Sequence, residues 1–219
     1  MRAIIHGGGE RRVSTKRIFL IGATGGLGGH ILNTLLQRDD VKITAYVRTP
    51  SKLSHLSSPK LTVVQGDLSS LNAQLLTGCD VVISTHSSGN LERYRGYQAI
   101  VSAAQEAQTQ HVIGVGGAGQ LKLANGEIKQ SEPEWFPGLA PVTEDHEKGL
   151  NAMKSSGLQW TWVAPPYMPQ DAPSCGGYLA SNDLWNGSGM IPQIDVAQFI
   201  ADEALDPKHT HHVVALKAL

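Results

Sequence analysis

The chain has 219 residues, 41% of them hydrophobic and 17% charged, with a formal net charge of −1. That composition suits one soluble domain with a substantial core, and the near-neutral balance argues against nucleic acid or an anionic membrane as the main partner. No apolar run approaches the roughly 18 residues of a membrane helix. Cys79 and Cys175 are too few for a disulfide framework, so a reducing, cytoplasmic setting is expected.

Residues 1–16, MRAIIHGGGERRVSTK, precede any regular pattern and hold too short an apolar stretch for a signal peptide. They read as a tail or extension. The HGGG within them matches an esterase oxyanion sequence, but no G-x-S-x-G elbow exists to serve it. Residues 17–219 read as a single domain. Strands are expected at Arg17–Ile21, Ile43–Val47, Leu61–Gln65, Val81–Thr85, His111–Val115, Trp160–Ala164 and Val213–Leu216. Several are β-branched runs without alternation, the pattern of parallel strands covered on both faces. Between them Ile31, Leu32, Leu35 and Leu36 form one helical stripe, and Ile100, Val101, Ala104 and Ala107 another. Val196, Phe199, Ile200 and Ala204 form a third, with Asp195 as expected N-cap and Gln198 three residues on. The alternation predicts a doubly wound α/β fold, a mainly parallel sheet with helices on both faces. Two long stretches, 117–142 with Trp135 and Phe136 and 165–194, break the rhythm after the fifth and sixth strands. Both are expected as functional loops at the carboxyl ends of strands.

The first strand runs into GATGGLG, in which Gly22, Gly25 and Gly28 are spaced G-x-x-G-x-x-G. Such a turn lets a pyrophosphate approach backbone closely and rest on the amino end of the next helix. Gly22, Thr24, Gly25, Gly26, Leu27 and Gly28 are therefore candidate cofactor contacts. The second strand ends TAYVRTPSKL, with Arg48 and Lys52 and no acid. An acid there would accept from a ribose 2′-OH, whereas a guanidinium suits a 2′-phosphate, which points to NADP(H). The alternative is a solvated surface pair. Asp67 and Leu68 after the third strand would lie beside the adenine. Thr85, His86 and Ser87 would lie under the ribose and pyrophosphate, with a structural role the alternative for His86.

These motifs, with VGGAG and the stretch from PVTEDHEKGL through PPYM to GGYLASNDLWNGSGMIPQIDVAQF, resemble an atypical short-chain dehydrogenase/reductase. The second half is similar to biliverdin-IXβ reductase/flavin reductase and its NAD(P)H-binding relatives. The resemblance implies a Rossmann-type, usually monomeric domain that passes hydride to flavins or linear tetrapyrroles, with Gly116 and Pro165 also against the cofactor. The sequence departs from the family in three ways. None of its tyrosines has Lys four residues on, so the Tyr-x-x-x-Lys relay is missing. Gly116 and Gly117 stand where a serine is usual, and Tyr167 stands where the biliverdin reductases have histidine.

Two residues remain for proton chemistry. His146 matches a family histidine and lies near an expected helix start, where Thr143 would cap and nearby acids would complement the dipole. It shares a helical face with Gly149, Leu150 and Met153, so it is either catalytic or packed. Tyr167 after the paired prolines is either a proton donor or an aromatic wall. HTHH (209–212) is read as a surface turn rather than a metal site, and no metal is expected. The leading expectation is an NADPH-dependent reductase of a small conjugated or flavin-like acceptor, which needs stacking more than a protein acid. A non-catalytic NADP(H) sensor and a non-redox isomerase or dehydratase are the alternatives.

Overall fold

The computed structural model describes residues 15–87, 92–131, 137–187 and 189–219. The HGGG stretch, Trp135 and Phe136 lie outside the described residues. β1 (Lys16–Ile21) runs through the interior of an eight-stranded sheet. Ile18 and Leu20 enter the core on one face of the sheet, Phe19 and Ile21 the core on the other. A strand covered on both sides has no polar face, which is why its residues are apolar without alternation. The same split recurs in β4 (Val81–Ser84), with Val81 and Ile83 on one side and Val82 on the other.

β2 (Val41–Val47), β3 (Leu61–Gln65), β5 (His111–Val115), β6 (Gln159–Ala164) and β8 (His212–Ala218) run parallel to these two. The order is β3-β2-β1-β4-β5-β6-β8-β7, with β7 (Tyr178–Asn182) antiparallel at the edge. α1 (Gly26–Leu36) and α4 (Gln193–Leu205) bury their apolar stripes on one face. α2 (Arg93–Glu106) and α3 (Ala140–Lys154) bury theirs on the other. This is the expected Rossmann-type doubly wound sheet. Strand order reverses between β1 and β4, the switch point outside whose carboxyl ends ligands bind in open α/β sheets.

The two long stretches are more ordered than loops. The segment 165–194 contains β7, in which Tyr178 and Ala180 pack on the core while Leu179 is 54% exposed. The segment 117–142 contains 3₁₀ turns at Ala118–Gln120, Lys129–Ser131 and Pro137–Leu139, and α3 already begins at Ala140. The two segments are stitched together. Lys122 N–H donates to Asp183 O at 2.8 Å, and Trp185 N–H returns to Lys122 O at 2.8 Å.

Asp195 is not the N-cap of α4; Pro192 is. Asp195 stands inside the first turn, 2% exposed, and reaches to the chain twenty residues earlier. Its carboxylate accepts from Ser174 Oγ at 2.6 Å, Cys175 N at 3.0 Å and Cys175 Sγ at 3.2 Å. Gln198 donates to Asp202 instead of closing a capping box. Burial pushes the Asp195 carboxyl up, but the bonds from Ser174 and Cys175 outweigh it and hold the group below its ordinary 3.8.

Asp195→Ala is therefore expected to cost about 2 kcal/mol at neutral pH, because the Ser174 and Cys175 donors lose a charged acceptor. The carboxylate's contribution is complete above 3.8 and is lost as pH falls through the lower folded value. Urea melts across a pH series should show the wild-type advantage shrinking only on that acid side.

Candidate functional site

The glycine turn forms the floor of the crevice. Gly22 takes φ 91°, a left-handed conformation that turns the chain out of β1. Gly25 N–H closes the turn on Gly22 O at 2.9 Å. A Cβ at Gly28 would stand 2.0 Å from the Gly22 carbonyl oxygen, so α1 lies directly on the turn. Gly25 is different. Its φ of −87° suits any residue, and a Cβ there would meet only the Gly22 oxygen, at 3.4 Å. Leu27 turns its side chain into the core and leaves only backbone for a ligand. α1 opens with no side-chain cap and no acid in its first turn. Its first N–H groups have no preceding helical carbonyl, which makes the cradle fit a pyrophosphate.

Two residues that sequence reasoning missed close over this cradle. A Cβ at Gly26 would lie 2.5 Å from Gln193 Oε1 and 3.1 Å from the Gln170 amide carbon. Gln193 Oε1 is buried without a hydrogen-bond partner. No periodicity or motif marks either glutamine.

Arg48 and Lys52 are exposed at the end of β2, Lys52 within a 3₁₀ turn at Pro50–Leu53. Lys52 shares a cleft with Thr24 and Gly25; Arg48 does not line it. Asp67 uses its carboxylate locally, accepting from Ser69 Oγ at 2.6 Å, Ser69 N at 2.9 Å and Ser70 N at 3.2 Å. The Ser69 bonds hold that carboxyl below the usual range. Leu68 is half-buried against α2, where its Cδ1 would touch a Cβ at Gly96. Thr85 lies beneath the turn, its Oγ1 2.9 Å from a Cβ at Gly28. Both ring nitrogens of His86 are engaged, Nε2 with the Arg93 carbonyl at 3.0 Å and Nδ1 with Ser84 Oγ at 2.7 Å. A carbonyl only accepts, so Nε2 carries the proton, and burial lowers the pKa of the ring. Ser87 is exposed.

The end of β5 is shaped by Trp162, which is fully buried in β6. A Cβ at Gly116 would stand 2.3 Å from the indole nitrogen, and one at Gly114 2.8 Å from the indole ring. Gly116 can thus offer only backbone. Its N–H donates to Val163 O at 2.8 Å. His146 packs edge-on against Trp162 on the buried face of α3, with Gly149, Leu150 and Met153. Thr143 does not cap α3; Leu139 does, and the Thr143 hydroxyl donates back to Ala140 O at 2.9 Å. No acid stands in the first turn of α3. One of the nearby acids, Asp145, serves α2 instead, accepting from the N–H groups of Arg93 at 3.1 Å and Tyr94 at 3.3 Å. Arg93 Nη1 donates to His146 Nε2 at 2.5 Å, so the proton is on Nδ1. Burial, aided by the Arg93 charge, pushes His146 down to about 4 and keeps it neutral. Its Nδ1–H is buried without a partner and faces Gly117, where a Cβ would sit 3.6 Å away.

Pro165 is buried, and Tyr167 beyond it is 71% exposed with its backbone bridged to Met190. No hydrogen bond joins Tyr167 to His146 among the described residues. His209 and His212 brace β7 and β8, bonding Asn182 at 2.6 Å and Asp183 at 2.7 Å. Among the described residues no group of three His, Cys, Asp or Glu could hold a metal, and no helix is long and apolar enough to cross a membrane.

The gap at Gly117 yields a test of this geometry. Gly117 has extended backbone (φ −151°, ψ 170°), so Gly117→Ser introduces no strain and offers His146 Nδ1–H an acceptor. It is expected to stabilise the fold by about 1 kcal/mol in urea melts. Gly116→Ser, driven into the indole, should destabilise by about 2 kcal/mol.

Comparison with known proteins agrees with this geometry. The model of a family described as NAD(P)H-binding matches residues 22–207. YhfK of Bacillus subtilis, named an uncharacterized sugar epimerase, is 24% identical over 199 residues, 90% of this chain and 91% of its own. A Bacteroides thetaiotaomicron structure provisionally named an epimerase superposes with TM-score 0.82 at 28% identity, covering 94% of this chain and 98% of that one. A Streptococcus pneumoniae structure provisionally named an NADH-flavin reductase superposes with TM-score 0.80 at 23% identity, covering 93% and 100%. With its glycine turn, switch-point crevice and matched length, the chain belongs to the NAD(P)H-binding family.

Proposed function

We propose that the protein is an NADPH-dependent reductase that passes hydride to a flavin-like or otherwise conjugated small molecule, without a Tyr-x-x-x-Lys relay. The observation that supports this reading is that, among the described residues at the end of β5 and on α3, no side chain is free to exchange a proton with an alcohol. Gly116 and Gly117 bear no hydroxyl, and His146 is buried and neutral. Tyr97 is fully buried, its hydroxyl accepting from Val115 N–H at 2.9 Å and donating to Val115 O at 3.1 Å, and burial pushes it above the usual phenol range. Interconverting an alcohol and a ketone needs a positioned acid–base group, as does epimerisation through a keto sugar. A conjugated ring needs only stacking and orientation, with water supplying the proton.

The first-turn N–H groups of α1, with Thr24 and Gly25, would hold the pyrophosphate. Arg48 and Lys52 would hold the 2′-phosphate. Thr85, Ser87, Gly116 and Pro165 would line the path to the nicotinamide, with Asp67 and Leu68 at the adenine. When bound, NADPH supplies the hydride. Tyr167, whose ring is exposed, would be the aromatic wall for the acceptor, and the name of the Streptococcus relative supports that class of acceptor.

Oxidation of NADPH and NADH should be followed with FMN, riboflavin and quinones. Turnover preferring NADPH supports the proposal. Failure with every acceptor, together with epimerisation of a nucleotide sugar without added reductant, would overturn it.

Arg48→Ala should weaken NADPH binding about tenfold and leave NADH nearly unchanged, since a charge-assisted bond to phosphate is lost. Tyr167→Phe keeps the aromatic wall and removes the hydroxyl. Turnover should fall by less than about tenfold, whereas loss of a required acid costs roughly a hundredfold.

A further inference from the structure

α3 presents to the end of β5 a hydrogen-bond donor that the fold itself leaves unused. His146 is 7% exposed, and among the described residues its Nδ1 is buried without a partner. A buried donor left unpaired is costly, and native folds seldom keep one without a use for it. The far side of the ring fixes this atom as a donor. Arg93 Nη1 donates to Nε2 at 2.5 Å, and a guanidinium has only donors to offer, so the proton stays on Nδ1. Arg93 is itself held, its N–H bonded at 3.1 Å to the carboxylate of Asp145, the residue before His146. Trp162 packs edge-on against the imidazole, with ring centroids 6.5 Å apart. The ring is thus fixed in place and in one tautomer.

Nδ1 faces Gly117, just beyond β5 on the carboxyl edge of the sheet next to β4. A Cβ there would stand 3.6 Å from Nδ1 and 3.7 Å from Cε1, in ordinary contact. Trp162 closes the equivalent space at Gly116, so Gly117 leaves the one of the two gaps that a small group can fill. What belongs in it is an acceptor atom. A fixed donor shielded from water is worth most where negative charge develops during a reaction. Hydride addition to a ring conjugated with a carbonyl develops such charge. A bond forms between hydride and ring, the π pair shifts onto the carbonyl oxygen, and NADPH is oxidised to NADP⁺. Water then supplies the proton that completes the reduction.

We propose that His146, held as the Nδ1–H tautomer by Arg93, is a catalytic hydrogen-bond donor to the carbonyl oxygen of the acceptor. The proposal rests on the reading of the crevice as a reductase site and narrows its acceptors to conjugated rings that bear a carbonyl. His146 keeps its proton throughout, in accord with the burial and the Arg93 charge that hold it neutral down to about 4. Arg93 is then a positioning residue, since it acts only through the imidazole.

Two substitutions at Gly117 test the donor without disturbing the core. Gly117→Ser and Gly117→Ala add nearly the same bulk, but only the serine hydroxyl can occupy Nδ1–H. With riboflavin as acceptor, Gly117→Ser should lower kcat at least about tenfold relative to Gly117→Ala, with KM little changed. Its loss of rate would accompany a gain of stability, which a merely structural role for His146 does not give. His146→Leu, which removes the donor and keeps an apolar side chain, should lose rate to a similar extent. In full-length protein labelled with ¹⁵N-histidine and saturated with NADP⁺, riboflavin should shift the His146 Nδ1–H resonance in Gly117→Ala and not in Gly117→Ser. In a wild type that reduces riboflavin, equal rates for the two Gly117 variants or an unmoved His146 resonance would overturn the donor and leave the reductase reading intact. If wild type reduces neither riboflavin nor a quinone, the reductase reading falls, and the donor with it.

Discussion

A Cβ at position 28 would come within 2.0 Å of the Gly22 carbonyl oxygen, so α1 can rest on the turn only because that Cβ is missing. This contact sets the geometry of the crevice. It brings the first N–H groups of α1 to the carboxyl edge of the sheet, beside the strand where the order reverses. It also lets Thr85, at the end of β4, pack under both Gly22 and Gly28. The turn is thereby held between β1, β4 and the helix it opens. Gly25, at the front of the same motif, has no comparable packing reason to be glycine. Its freedom faces outward, toward the space a ligand would fill.

The opposite end of the crevice follows from a second close fit, around Trp162. The indole fills the space above Gly114 and Gly116 and lies 3.3 Å from a Cβ at Gly149. At Gly116 a side chain and this tryptophan could not coexist, whereas Gly117 has room for one. Tyr97 packs on the same indole, with ring centroids 4.9 Å apart, and spends its hydroxyl on the backbone of Val115. Arg93 occupies His146 Nε2 while Asp145 holds the start of α2. Tyr97, Arg93 and Asp145 are thus engaged with backbone and with His146. On the proposed reading, an acceptor would meet shape, backbone and the exposed ring of Tyr167.

Short runs rich in β-branched residues made the parallel strands legible in the sequence, including β3, which lies at the edge of the sheet and is largely exposed. β3 and β5 fall at their expected residues, and β1, β4 and β6 within one residue at an end. β7 was not legible. Its residues, YLASN, lack a β-branched run, it follows Gly176 and Gly177 with φ of 94° and 140°, and it shows Leu179 to solvent. Asp195 and Thr143 were misplaced for a related reason. Each has the composition of a cap, yet the partners of Asp195 come from residues 174 and 175, and Thr143 bonds back along its own helix. The glycine turn and the packed face of His146 could be read from spacing alone. Gln193 and Asp145 could not, because only the folded chain brings them to their neighbours.

The two long segments extend this logic to the crevice as a whole. After β6 the chain passes Tyr167 and Pro169, whose carbonyls accept from Ile191 N–H at 3.0 Å and Gln193 N–H at 3.3 Å. Gln193 in turn lies on Gly26, over the pyrophosphate cradle. Asp195, two residues on, ties Ser174 and Cys175 to the same helix end. The wall that carries Tyr167 and the cover of the phosphate cradle are therefore one hydrogen-bonded unit on the start of α4. Lys122 couples the segment after β5 to the far end of β7 through two backbone bonds. Movement of the Tyr167 segment would have to strain the cradle or break these backbone bonds. For the proposed transfer to a conjugated ring, which needs stacking and orientation more than acid–base groups, such rigidity would be the main contribution of these residues.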